Sequence, residues 1–194
     1  LGLDVLKPAD PNAPDAIARV REASPDVAAV VAFGAILSPG LLSVPRLGGI
    51  NLHGSLLPDY RGASPVQRAL WDGRIVTGVT TIWMDEGIDT GDIILQRCDA
   101  IRPEDDAGTL AARLAALGGP LLAESLVLAH EGRAPRVAQD RGAGGIGTGG
   151  YAKKLRKEDG VIDWTLDTVS IWNRLRAVTP WPGAATTHDG RRLA

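Results

Sequence analysis

Two short apolar runs constrain what this chain can fold into more than any other feature. Residues 27–33 (VAAVVAF) follow Pro25-Asp26 and read as a buried strand of the kind found in a parallel sheet covered on both faces. Residues 48–53 (GGINLH) read as a second short strand. The other segments fit around these two. Residues 12–23 carry helix-like spacing (Ala13, Ile17, Val20) after Asn12, and residues 39–44 (PGLLSV) form a helical turn, since proline suits the first helical position. Residues 64–73 read as a helix with Ser64 as N-cap, Pro65 at its first position and Gly73 as its stop. Residues 77–84 (TGVTTIWM) are β-branched and strand-like, and residues 92–101 (DIILQRCDAI) are a further strand. A long helix follows at 106–131, with Leu110, Leu114, Leu117, Leu121, Leu122, Leu126 and Leu128 at helical spacing and a kink expected at Gly118-Gly119-Pro120. The order β–turn–β–α–β–β–α describes the second half of an open α/β sheet, with 77–84 and 92–101 as a local antiparallel excursion.

Residues 141–150 (RGAGGIGTGG) are glycine-rich and read as a linker. They contain a formal G-x-G-x-x-G at Gly142, Gly144 and Gly147, but no strand precedes it and no amphipathic helix opens from it, so the nucleotide reading lacks its context. Beyond the linker the expectation is a basic loop, a short strand, a helix at 166–177 and an extended, proline-rich exit. The chain opens on Leu1 and ends on THDGRRLA, where DG is a hairpin signal, so an incomplete chain is expected.

Composition sets the outer limits. A chain of 194 residues can bury one core and leaves room for part of a second domain. A single cysteine, Cys98, excludes an internal disulfide and a two-cysteine zinc site, and fits a reducing, cytosolic setting. No apolar run approaches the roughly 20 residues that span a bilayer. The net charge of −2 hides an asymmetry: residues 141–194 hold nine basic and five acidic side chains, residues 1–140 twelve and eighteen. Such a basic C-terminal end points to a polyanionic partner or, equally, to a solvated helix face.

The chemistry concentrates in residues 51–65 (NLHGSLLPDYRGASP) and 85–92 (DEGIDTGD). Asn51 and His53 alternate at the end of a strand and so share one face, and ligands of open α/β sheets sit beyond the carboxyl ends of strands. A carboxamide there can donate to a developing oxyanion, and an imidazole can handle a proton near neutral pH. No nucleophile elbow accompanies them, and Cys98 lies within a strand, so direct transfer between two bound molecules is preferred to a covalent route. The acidic loop offers Asp85, Glu86, Asp89 and Asp92 between glycines; one acid could orient His53 or hold a water, and spacing does not choose which. A cation site is the competing reading of the same loop, although the full twelve-residue calcium pattern is missing.

The pattern N-x-H-x-SLLP-x-YRG-x-x-P followed by D-x-G-x-D-x-G-D resembles the formyltransferases that use 10-formyltetrahydrofolate. The resemblance implies a Rossmann-like, mostly parallel open sheet that lacks its N-terminal part, followed by the start of a small β-barrel domain. It implies a catalytic set of Asn51, His53 and Asp89. It places the folate against Phe33, Ala35, Ile36, Leu37 and Leu42 and against Met84, Asp85, Glu86, Gly87 and Ile88, with plain core packing the competing reading for Ile36, Leu37 and Leu42. Substrate contacts fall on Ser55, Leu56, Leu57, Pro58, Arg61 and Gly62; Arg61 either meets a substrate phosphate or braces its loop. The segments GVTTIWMDEGIDTGDII, YAKKLRKEDGVIDW and RAVTPWPGA resemble the subfamily that formylates the methionine of initiator methionyl-tRNA. The acceptor is then that tRNA and the formyl donor 10-formyltetrahydrofolate, with no metal, no membrane and a monomeric, cytoplasmic protein. Other amine acceptors, a sugar nucleotide or glycinamide ribonucleotide, and a non-catalytic folate- or tRNA-binding role are the alternatives. The expected domains are a partial catalytic core at 1–138, the linker at 139–152 and a partial C-terminal domain at 153–194.

Overall fold

The computed structural model describes residues 5–139, 150–189 and 191–193. Most of the linker expected at 139–152, including the glycines of its G-x-G-x-x-G, lies outside the described residues.

Helix α1 (Pro14–Glu22) leads into β1 (Ala28–Val31), then the short α2 (Pro39–Leu42) and β2 (Gly49–His53). Helix α3 (Pro65–Trp71) precedes β3 (Val76–Trp83) and β4 (Ile93–Ala100), and α4 (Ala107–His130) follows. The four strands form one open sheet in sequence order. β1 and β2 run parallel, with Val30 opposite Asn51, while β2–β3 and β3–β4 are antiparallel. The antiparallel excursion therefore extends one strand further than expected. β1 is also not the doubly covered strand its composition suggests. It lies at the edge of this sheet with alternate residues exposed, and Val31 and Phe33 are about half exposed.

Helix α4 is long and apolar enough to cross a bilayer by length and composition alone. Here it is the cover of the sheet. Asp106 caps it, accepting from the Thr109 N–H at 2.8 Å while its own N–H donates to the Thr109 hydroxyl, which satisfies two otherwise orphaned N–H groups. Leu110, Leu114 and Leu121 then pack into a core with Leu70, Val79 and Ile101, and Leu122 packs into another with Ile50, Trp83 and Ile94. The helix is continuous through Gly118-Gly119-Pro120. A side chain at Gly118 would meet Leu52 at 2.6 Å, so the glycine serves close approach to β2.

After α4 the chain turns back along the sheet, and Val137 and Ile93 exchange backbone bonds of 2.8 and 3.1 Å. The short strand expected after the basic loop is a 3-10 turn (Lys157–Gly160) with a single bridge between Val161 and Ala185. Helix α5 (Thr168–Val178) packs on α3, and β5 (Thr186–His188) and β6 (Arg191–Leu193) pair as the hairpin signalled by Asp189.

Candidate functional site

Strand β2 ends the sheet's inner row with Asn51 facing Ile82 across β3 and His53 facing Thr80. The two-residue spacing puts both polar side chains on one face. His53 is only 6% exposed. Its Nε2 lies 2.9 Å from the carbonyl oxygen of Tyr60, and a carbonyl can only accept, so Nε2–H donates there. That carbonyl belongs to a residue at φ 59°, the left-handed region that non-glycine residues rarely enter. The tyrosine is pinned from its far end: its hydroxyl donates to Asp72 at 2.8 Å and accepts from Arg74 Nε at 2.8 Å. Burial pushes the Tyr60 phenol up to about 12.

Among the four acids of the second motif, the structure singles out Asp89. Its backbone sits at φ 54°, and its side chain turns inward and is 16% exposed. One carboxylate oxygen accepts from Asn51 Nδ2 at 3.4 Å. The other accepts from the Gly62 N–H at 2.9 Å and lies 3.5 Å from His53 Nδ1. A proton on Nδ1 would thus lie between imidazole and carboxylate. Two of the remaining acids are engaged in other bonds. Asp85 closes its own loop by accepting from Gly87 and Thr90, and Asp92 stands 4.0 Å from Arg136. The acids do not converge, and among the described residues no group of three or more His, Cys, Asp or Glu is placed to hold a metal ion.

A cavity of about 600 Å³ opens at the carboxyl ends of β1 and β2. That is the size of a small-molecule site. Asn51, His53 and Asp89 line it, together with Phe33, Ala35, Ile36 and Leu37 on one side and Met84, Asp85, Glu86, Gly87 and Ile88 on the other. The loop carrying Ile36 is held by Asn12, which donates to the Ile36 carbonyl and accepts from the Ser38 N–H. Leu42 lies off this wall, half-buried in α2.

The six residues assigned to substrate lie mostly away from this cavity. Only Gly62 reaches the cavity. Ser55 is fully buried, its hydroxyl donating to the Asp59 carbonyl, and the Leu57 N–H donates to Thr80 Oγ1. Leu56 lines a separate cleft beside Asp72 and Arg74. Pro58 is half-buried and not on the cavity wall. Arg61 donates from Nε and Nη2 to Gln139 Oε1 at 2.9 and 2.6 Å, a brace within the protein. These residues shape the turn that carries Tyr60 and Gly62; the alternation of the motif does not reveal which of them face inward.

Three features were not legible in the motifs. Gln139 joins Arg61 to the acidic loop, donating from Nε2 to the carbonyls of Asp89 and Gly91 at 2.9 and 2.7 Å. Tyr151 lines the cavity. Ala152 docks this segment onto the first motif: its N–H donates to the Arg61 carbonyl at 2.7 Å and its carbonyl accepts from Ala63 at 2.8 Å. Ser64 stands at the N-cap position of α3 but makes no cap bond, because its hydroxyl accepts from the Leu155 N–H of the same segment. The only available signal was the presence of a tyrosine directly after the glycine run in a chain with two tyrosines.

Residues 4–126 match the family described as "Formyl transferase", and residues 154–194 match "Formyl transferase, C-terminal domain". Over 192 residues the chain is 46% identical to the methionyl-tRNA formyltransferase of Geobacter metallireducens, covering 99% of this chain and 60% of that protein. It is 47% identical over 193 residues to that of Halothermothrix orenii, again covering 60% of the relative. The chain thus spans about three-fifths of the length of these curated relatives. Among solved structures, a 4-N formyltransferase from Francisella tularensis matches with a TM-score of 0.73 at 20% identity, over 87% of this chain and 68% of that one. HypX from Aquifex aeolicus in complex with tetrahydrofolic acid matches with a TM-score of 0.72 at 18% identity, over 93% and 31%. Both likenesses are to the fold.

Proposed function

The chain belongs to the formyl transferase family, and from that membership we propose that it carries the reaction centre that moves a formyl group from 10-formyltetrahydrofolate to the methionine amino group of initiator methionyl-tRNA. The observation that carries this reading is Asp89 holding Asn51, with His53 3.5 Å away, on the wall of a 600 Å³ cavity. The acceptor is inferred from relatives 43–47% identical to this chain that are named methionyl-tRNA formyltransferases. The folate donor is inferred from the family match and from the tetrahydrofolate bound to a protein of like fold.

The chemistry follows from the side chains. The donor lies along the apolar walls of Phe33, Ile36, Leu37 and Met84, with its formyl group toward Asn51. The methionine amine attacks the formyl carbon, a C–N bond forms, and the carbonyl oxygen takes the negative charge. The Asn51 amide, which has a second N–H beyond the one given to Asp89, stabilises that oxyanion, joined by His53 through a proton on Nδ1, since its Nε2–H is given to Tyr60. Asp89 orders a water that takes the ammonium proton and returns it to N10 as the N10–carbon bond breaks. The product is an N-formyl amide and tetrahydrofolate, with atoms balanced and no covalent enzyme intermediate. The protein works as a cytoplasmic monomer and needs no metal.

The deciding measurement is transfer of labelled formyl from 10-formyltetrahydrofolate to methionyl-initiator tRNA. Label on the methionine is the expected outcome. No transfer to the tRNA, with label on an aminated sugar nucleotide instead, overturns the acceptor.

A further inference from the structure

We propose that Gln139 is a positioning residue for Asp89, holding the backbone of the acidic turn so that its carboxylate stays against Asn51 and His53. The inference rests on the reading of Asp89 as part of the transfer site.

Asp89 needs such a holder. Its φ of 54° is costly for a side chain other than glycine, and the neighbouring Ile88 is about half exposed, so the turn has little packing to secure it. Asp85 closes the loop internally through Gly87 and Thr90, and one carboxamide ties the backbone of the turn to the first motif. Nε2 of Gln139 donates to both carbonyls of the turn, Asp89 and Gly91, while its Oε1 accepts two N–H groups from Arg61. The residue after Arg61 completes a ring, because the Gly62 N–H donates to the Asp89 carboxylate. Two adjacent residues of the first motif therefore grip the second motif twice. Gly62 holds the carboxylate directly, and Arg61 holds the backbone through Gln139.

The side chain type is dictated by this double task. One end must accept from a guanidinium and the other must donate to carbonyls, which among side chains of this reach only a glutamine does. Glutamate keeps the Arg61 partner but turns an acceptor against two acceptors. Methionine keeps the length and loses both functions. Neither change should unfold the segment, because its path is set by the backbone exchange of Val137 with Ile93, two residues earlier.

The test compares Gln139→Glu and Gln139→Met with the wild-type chain in three measurements. These are amide hydrogen exchange of residues 85–92, binding of 5-formyltetrahydrofolate, and formyl transfer to methionyl-tRNA. Both variants are expected to keep the folate affinity and to exchange faster at 88–91, since local opening is what the amide suppresses. Their kcat is expected to fall about 10–100-fold with little change in the donor KM, the usual cost of a small misplacement of a reacting group. In an Asp89→Asn background the same substitutions should cost less than about twofold, since residues in one network do not add. If the wild type transfers formyl and both variants keep kcat within about twofold, or the loss persists undiminished in the Asp89→Asn background, the positioning role is overturned while the transfer function stands. If the wild type transfers nothing, the proposed function falls, and exchange alone decides: unchanged exchange at 88–91 overturns the role, and faster exchange supports it.

Discussion

Gly62→Ala tests how far the site depends on the segment that docks against it. Gly62 has φ 114°, outside the conformations L residues adopt comfortably, so a side chain there costs about 1–3 kcal/mol of backbone strain. The added Cβ would also lie 2.7 Å from the Ala152 carbonyl and 2.9 Å from the Tyr151 ring. The Tyr151 ring is exposed and can swing aside, but the Ala152 carbonyl cannot yield freely, because Ala152 is tied by bonds to Arg61, Ala63 and Ser64. Pushing it away weakens one or two of those bonds at about 1 kcal/mol each. A total near 3 kcal/mol lowers the Tm by roughly 6–12 °C for a chain of this size. The assay is thermal denaturation followed by circular dichroism, with Gly119→Ala as the opposite control. Gly119 lies exposed in α4 with nothing within 4 Å of an added Cβ, so alanine there should raise stability by about 0.5–1 kcal/mol. A Gly62→Ala protein that melts within about 2 °C of wild type would refute the argument that this glycine is fixed by the docked segment.

Three further outcomes follow from the same structure. The phenol of Tyr60, pushed up to about 12 by burial, should ionise in an absorbance titration well above the ordinary value of 10, and Tyr60→Phe should remove that step. Because the folded protein keeps this proton longer than the unfolded chain does, its contribution is intact below pH 10 and is lost as pH rises from 10 to 12. Asp105 runs the other way: hydrogen bonds from Arg113 hold its carboxyl down at about 2, so its contribution is present above pH 3.8 and disappears as pH falls through 2. Asp105→Asn should therefore lower stability at pH 7 by about 2 kcal/mol in urea unfolding and flatten the acid limb; an unchanged acid limb would contradict this. Finally, Asn51→Ala and His53→Ala should each cost at least ~10²-fold in formyl transfer without a comparable loss of folding, and near-full activity in both would remove them from the reaction.

The sequence by itself determined most of the elements and the strand-end pair, the exception being the short strand expected after the basic loop. Period-two spacing is a local property, so Asn51 and His53 on one face of a short strand could be read directly, as could the helix within 12–23, the helix from Pro65, the long helix of 106–131 and the hairpin at Asp189. The motif pattern also placed an acid of 85–92 near that pair. What the residues alone left open was settled by long-range packing. Asp89 is the acid that faces His53 because its left-handed backbone turns the carboxylate inward, whereas Asp85 spends its oxygens within the loop. Most of the SLLP turn is internal because the Ser55 carbonyl and the Leu57 N–H both bond the Thr80 hydroxyl on β3. Ser64 gives up its capping role to a segment ninety-one residues away. Gln139 and Tyr151 reach the site only because the chain after α4 pairs with Ile93 and because Ala152 docks on Arg61 and Ala63. Contacts of that kind depend on how distant segments close over one another, and no spacing rule within either segment encodes them.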